Sequence, residues 1–194
     1  MARTFVTVAA VLASLAAGRV HAQAVDRRPA VEVVLDNRAP AAATEIAAAQ
    51  ARVRFIFREA GIHVAWMGRT TEPFPELGGD RIVLVLLDLS DANRVITGDP
   101  TRLGFAVPPA NRVYVHYPRV AALARERGVQ PGWFLGVVVA HELGHVLLPR
   151  VGHAEAGIMA PSLAPDSRFV PVFSREEGRD LRARLAGETL MALK

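Results

Sequence analysis

Ala140-His141-Glu142-Leu143-Gly144-His145-Val146-Leu147-Leu148 is the stretch that decides the reading of this chain. It lies inside an uninterrupted apolar run that begins at Trp133. On a helix, residues four apart stand one turn above each other on the same face. His141 and His145 therefore present two imidazole nitrogens to one point in space. Glu142 projects to the flank of that face, where a carboxylate can reach a metal-bound water without ligating the metal. Two neutral nitrogen donors, an open coordination position and an adjacent base are what a zinc hydrolase requires. The plainer alternative is a buried helix carrying two satisfied core histidines. Glu142 weighs against it, because a carboxylate in the middle of an apolar helix is costly unless it has a task.

Downstream, Pro149 cannot continue the helix, and Gly152 is expected to take the positive φ of a reversing chain. His153 follows, and then Gly157-Ile158-Met159-Ala160-Pro161. With these residues the chain resembles the metzincin clan of zinc peptidases. The clan motif is H-E-x-x-H-x-x-G-x-x-H followed by a methionine-containing turn beneath the metal. His141, Glu142 and His145 match it directly, and Ile158-Met159-Ala160-Pro161 resembles the Met-turn in its matrixin form. Two departures stand out: His153 comes eight residues after His145 instead of six, and Leu148 occupies the glycine position. The connecting loop is thus two residues longer, with Gly152 expected to take over the turn.

The resemblance implies zinc as cofactor, His141, His145 and His153 as its ligands, and Met159 beneath the metal as a non-ligand. Glu155 and the more distant Asp166 are the alternative third donors. A glutamate ligand in other zincins comes from a separate helix much further along, which Glu155 does not match. Zinc held by three neutral histidines keeps its full charge and brings the pKa of a bound water to about 7. Glu142 would act as general base on that water and then as general acid towards the leaving amine. Position 160 is Ala, so the tyrosine that ligates zinc in some metzincins is missing. The sequence names no second oxyanion donor, and Tyr114 and Tyr117 read as packing residues.

Residues 1–24 read as a cleavable signal peptide. Arg3 supplies the positive start, Phe5 to Ala17 an apolar run, and Val20-His21-Ala22 and Ala22-Gln23-Ala24 small-residue cleavage sites. The run is shorter than the roughly 20 residues of a membrane span, and an uncleaved anchor is the competing reading. Residues 25–194 are then expected to form a single catalytic domain, long enough for one proper core and too short for two. The formal charge of +4 becomes +2 when Arg3 and Arg19 leave with the signal. With its arginines scattered, the chain offers no footprint for nucleic acid, and no membrane partner is expected after cleavage. The absence of cysteine excludes disulfides, a thiolate zinc site and the cysteine-switch latency of matrixins.

Around the motif, Val31–Leu35 reads as a first strand and Asp36–Pro40 as a turn. Ala41–Ala60 reads as a helix with Ile46, Val53, Ile56, Phe57 and Ala60 inward, its arginines on a solvated face, and Gly61 as stop. Ile62–Trp66 is a second strand, and residues 68–80 are a Pro/Gly-rich loop. The unalternating run Ile82–Leu87 suits a central strand covered on both faces. Ser90–Arg102, with Asp91, Asn93 and Asp99, reads as a plain solvated loop, its spacing fitting no calcium pattern. Gly104–Val107 and Arg112–Tyr117 read as strands joined through Pro108–Asn111, the prolines marking an edge. Pro118–Arg127 is a short helix closed by Gly128, and Gln130-Pro131-Gly132 opens the motif helix. Ser174-Arg175-Glu176-Glu177 is a capping box starting a last helix with Leu181, Leu185 and Leu190 inward. His63 and His116, on strands, read as ordinary residues.

This order of elements agrees with the resemblance. It implies an α+β, metzincin-like zincin fold: a mixed twisted sheet, a long backing helix, the active-site helix and a C-terminal helix. Gly104–Val107 would line the cleft as the edge strand to which an extended peptide adds. The expected function is a secreted or periplasmic zinc endopeptidase acting on peptide or protein substrates. A zincin-fold binding or structural module, and an amidase acting on a non-protein link, are the alternatives.

Overall fold

β-branched and apolar runs give the computed structural model its sheet, and the alanine-rich and motif segments give the helices that cover it. The structure describes residues 28–68, 81–96, 101–148, 152–163 and 169–187. Residues 1–24, expected as a signal peptide, most of the 68–80 loop, Asp99, Pro149, Asp166 and Leu190 lie outside the described residues. The strands are β1 (Ala30–Asn37), β2 (His63–Met67), β3 (Arg81–Leu87), β4 (Gly104–Val107) and β5 (Arg112–His116). The helices are α1 (Ala43–Glu59), α2 (Leu89–Val95), α3 (Tyr117–Glu126), α4 (Pro131–Leu147) and α5 (Arg175–Leu185). One five-stranded sheet runs β2-β1-β3-β5-β4, parallel except for β4, which pairs antiparallel with β5. β3 is central, and Ile82 to Leu87 are all buried, as an unalternating apolar run requires.

α4 is the helix that the fold encloses, packed against α1, α3, β4 and β5. Its burial is continuous from Phe134 to Gly144, so amphipathic patterning gives way to an apolar surface on all sides. The close approach of α1 needs glycine in α4. A Cβ at Gly132 would stand 2.5 Å from the Glu45 carbonyl oxygen, and one at Gly136 2.7 Å from that of Ala49. Glu45 ties the start of α1 together: its carboxylate accepts from the Ala42 N–H at 3.1 Å and from the Tyr117 hydroxyl of α3. Tyr117 is thereby a packing residue, as expected, with burial and the Glu45 contact pushing its phenol up to about 12. α5 opens with the expected box, the Ser174 hydroxyl accepting from the Glu177 N–H at 3.2 Å and Glu177 accepting from the Ser174 N–H at 2.7 Å. Leu181 and Leu185 face inward, and Arg182 donates to the Ala60 carbonyl at 2.6 Å, docking α5 on the end of α1.

Four local expectations are corrected. Ser90–Arg102 is not a plain loop. Asp88 caps α2 by accepting from the Asp91 N–H at 2.7 Å, and Ala92 and Ile96, one turn apart, bury against Val83, Val85 and Leu87. Asp91 pairs with Arg94 at 2.5 Å, so its carboxylate is occupied within that helix. Arg52 does not belong to the solvated face of α1. Its guanidinium lies 4.9 Å from the Trp133 ring centre, and burial lowers its pKa. β1 extends through Asp36 and Asn37, which the sequence assigns to a turn, because register with β3 continues to Leu86. Tyr117 starts α3 instead of ending β5; the buried His116 forms the joint, its Nδ1 accepting from the Arg119 N–H at 3.4 Å.

Candidate metal centre

His141 and His145 leave the last turns of α4 on one face, and their Nε2 atoms stand 3.1 Å apart. Two nitrogens bound at about 2.0–2.1 Å to one tetrahedral zinc would lie about 3.3 Å from each other. The third imidazole comes from the return segment. Ligand atoms of His141, His145 and His153 all lie within 4.8 Å of one another. Among the described residues this is the one cluster with three such donors. The rings enclose a common point, with centroids 4.6 Å apart for His141–His145, 5.0 Å for His145–His153 and 5.3 Å for His141–His153.

The tautomer of His141 follows from its partner. Its Nδ1 lies 2.7 Å from the Ile158 carbonyl oxygen, which can only accept, so Nδ1 carries the proton and Nε2 turns a lone pair to the cluster. Burial lowers the pKa of His141 and brings His145 down to about 4, the neighbouring histidines adding to the effect on His145. Both are therefore neutral at neutral pH, which is the form that binds a metal. The donor set thus fits zinc: three imidazoles, a fixed tautomer and a partly open cluster.

Glu142 is 6% exposed and lies under β4. A Cβ at Gly104 would fall 3.0 Å from the Glu142 Oε1, so a glycine at the start of the edge strand lets that strand pass over the carboxylate. Burial pushes the Glu142 carboxyl up to about 8, with the charge of Arg102 acting the other way. A cation among the three histidines would add to the pull of Arg102 and favour the ionised carboxylate. Glu142, the three histidines and Arg102 all line one open cavity of about 750 Å³.

The return segment is clamped from below. Ala154 N–H donates to the Met159 carbonyl at 2.8 Å, and Ile158 N–H to the Val172 carbonyl at 3.0 Å. Gly152 does not take the expected positive φ, while Gly157, in the turn that follows His153, does, at 83°. A Cβ at Gly157 would meet the Val172 oxygen at 2.8 Å, so the clamp also needs glycine there. Met159 is fully buried beneath α4, where a Cβ at Gly144 would come within 2.4 Å of its sulfur. Glu155 is exposed and stands outside the cluster. Sequence reasoning missed the Ile158 carbonyl and Arg102, and it placed Gly104 on the cleft wall without its approach to Glu142. A glycine opening a strand was the available signal for Gly104; a backbone acceptor leaves none.

The fold and this arrangement define the chain's structural class. It is similar to the crystal structure of the archaemetzincin from Methanopyrus kandleri, with TM-score 0.51 and 20% identity over 82% of this chain and 96% of that one. That likeness gives the chain the zincin-like fold of archaemetzincin. A zinc-dependent peptidase from Methanocorpusculum labreanum is also similar, at TM-score 0.41 and 13% identity over 80% of this chain and 99% of that one. Neither a protein-family model nor a curated protein matches the chain by sequence.

Proposed function

We propose that the protein is an exported zinc-dependent endopeptidase of metzincin type. The observation that carries this reading is the meeting of His141, His145 and His153 beside the buried Glu142 in one open cleft of an archaemetzincin-like fold. His141, His145 and His153 would hold the metal. Zinc at such a site acts as a Lewis acid, making water acidic and a carbonyl electrophilic. Glu142 takes the proton from the attacking water and later delivers it to the leaving amine. Gly104 keeps the wall above the carboxylate free of a side chain, and the outer edge of β4 offers backbone groups to an extended peptide. Ile158-Met159-Ala160-Pro161 serves as a Met-turn of matrixin form. Its support is the burial of Met159 against Gly144 and the hydrogen bond from His141 to the Ile158 carbonyl.

The test is metal content together with cleavage of casein. Protein as purified is expected to carry stoichiometric zinc and cleave casein, to lose activity to a chelator, and to regain it with added zinc. Bound zinc without any proteolysis would favour the structural-module alternative, and cleavage of a non-peptide amide alone would favour the amidase. The export part of the proposal rests on residues 1–24. Protein recovered from an exporting host is expected to begin near Gln23 or Val25 by intact mass. A full-length, membrane-bound product would count against a cleaved signal.

A further inference from the structure

The cleft holds a charge that the proposed hydrolysis does not use. Arg102 lines the cavity together with Glu142, and among the lining residues these are the one guanidinium and the one carboxylate. The backbone around Arg102 is fixed. The Arg102 carbonyl accepts from the Arg119 guanidinium at 3.2 Å, and the Leu103 carbonyl accepts from the His116 N–H at 2.8 Å. The first turn of α3 thus sets Arg102 at the entrance to β4. Its place on the wall shared with Glu142 and the three histidines sets it beside the catalytic space. Among the described residues, no carboxylate forms an ion pair with Arg102. An exposed guanidinium at the wall of a cleft, its backbone fixed and no carboxylate paired with it among the described residues, is a fork for a carboxylate.

The direction of a bound peptide says which carboxylate. β4 pairs with β5 along one edge, and among the described residues its other edge is open. Antiparallel pairing is the more stable arrangement of added strands. A peptide lying antiparallel to Gly104–Val107 carries its C-terminal half past the Gly104 end, beside Arg102. On the peptidase reading above, we propose that Arg102 anchors a substrate carboxylate on the C-terminal side of the scissile bond. The carboxylate comes from an Asp or Glu side chain or from the free C-terminus of a short peptide.

The full-length, zinc-loaded protein is given randomised decapeptide mixtures, and the cleaved bonds are read by mass spectrometry. One mixture contains Asp and Glu and a second has Asn and Gln in their place. Each is made with a free acid and with an amide end, which separates the two sources of the carboxylate. Cleavage is expected to favour a carboxylate within two residues after the cut. Arg102→Ala should lower kcat/KM on carboxylate-bearing peptides about 10-fold, through KM, and leave uncharged relatives within about 2-fold. Arg102→Lys should restore part of the loss. An equal fall in kcat for every peptide would overturn the anchor and assign Arg102 to the scissile carbonyl. No preference for carboxylates would overturn it as well. If the wild type cleaves no peptide, the peptidase reading fails by itself. The anchor is then read by fluorescence anisotropy of labelled Glu- and Gln-containing peptides on the zinc-loaded protein. Tighter binding of the Glu peptide, by about 10-fold and lost in Arg102→Ala, supports it, and equal or absent binding overturns it.

Discussion

Glu142→Gln is expected to lower peptide turnover by at least about 10²-fold while zinc content stays at the wild-type level. Gln has the length and nearly the volume of Glu, so it fits the slot beneath Gly104 where the carboxylate now lies. The three imidazoles are untouched, and the hydrogen bond from His141 to Ile158, which fixes the metal-binding nitrogen, does not involve position 142. What the amide cannot do is take a proton from water. A loss of about 10²-fold corresponds to about 2.7 kcal/mol of transition-state stabilisation, within the usual contribution of a positioned base. Zinc by atomic absorption and kcat on one cleaved peptide provide the two readouts. Near-normal hydrolysis by the variant would remove Glu142 from the role of base. Loss of zinc along with activity would make it part of the binding site instead.

What the chain discloses without coordinates depends on the range over which each feature is determined. The motif helix is local: an i, i+4 histidine pair and a proline start are visible in one window, and α4 runs from Pro131 to Leu147 as they imply. The central place of β3 is also written locally, because a strand buried on both faces shows no alternation. α2 was illegible as a helix because its seven residues hold few apolar positions. Its stability comes from the Asp88 cap and from Ala92 and Ile96 meeting β3, contacts that need the sheet in place. Arg52 misled for a related reason: an arginine on a helix reads as solvated, and only the Trp133 ring of α4 gives its stem an apolar surface to cover. The turn that follows His153 depends on Gly157 and on the hydrogen bond from the Ile158 N–H to the Val172 carbonyl, a pairing across fourteen positions that spacing alone does not reveal.

The same clamp bears on the third ligand. His153→Ala is expected to weaken zinc binding by well over about 10²-fold, since even changes behind a ligand cost 10–100-fold. His153 immediately precedes Ala154, whose N–H is tied to the Met159 carbonyl at 2.8 Å, so its backbone is held at the edge of the locked reversal. The side chain itself is exposed. Removing it touches no core contact, and the metal-free variant should unfold within about 0.5 kcal/mol of wild type. Glu155, two positions on, faces solvent and contributes no atom to the cluster. Glu155→Ala should therefore leave affinity nearly unchanged, and Asp166→Ala, outside the described residues, should do the same. Titrating zinc into the three metal-stripped variants decides among the donors. Unaltered affinity in His153→Ala together with a loss in Glu155→Ala or Asp166→Ala would overturn the assignment. A loss confined to His153→Ala would mean that a loop two residues longer than the clan's still delivers its histidine, with Gly157 making the turn beyond it.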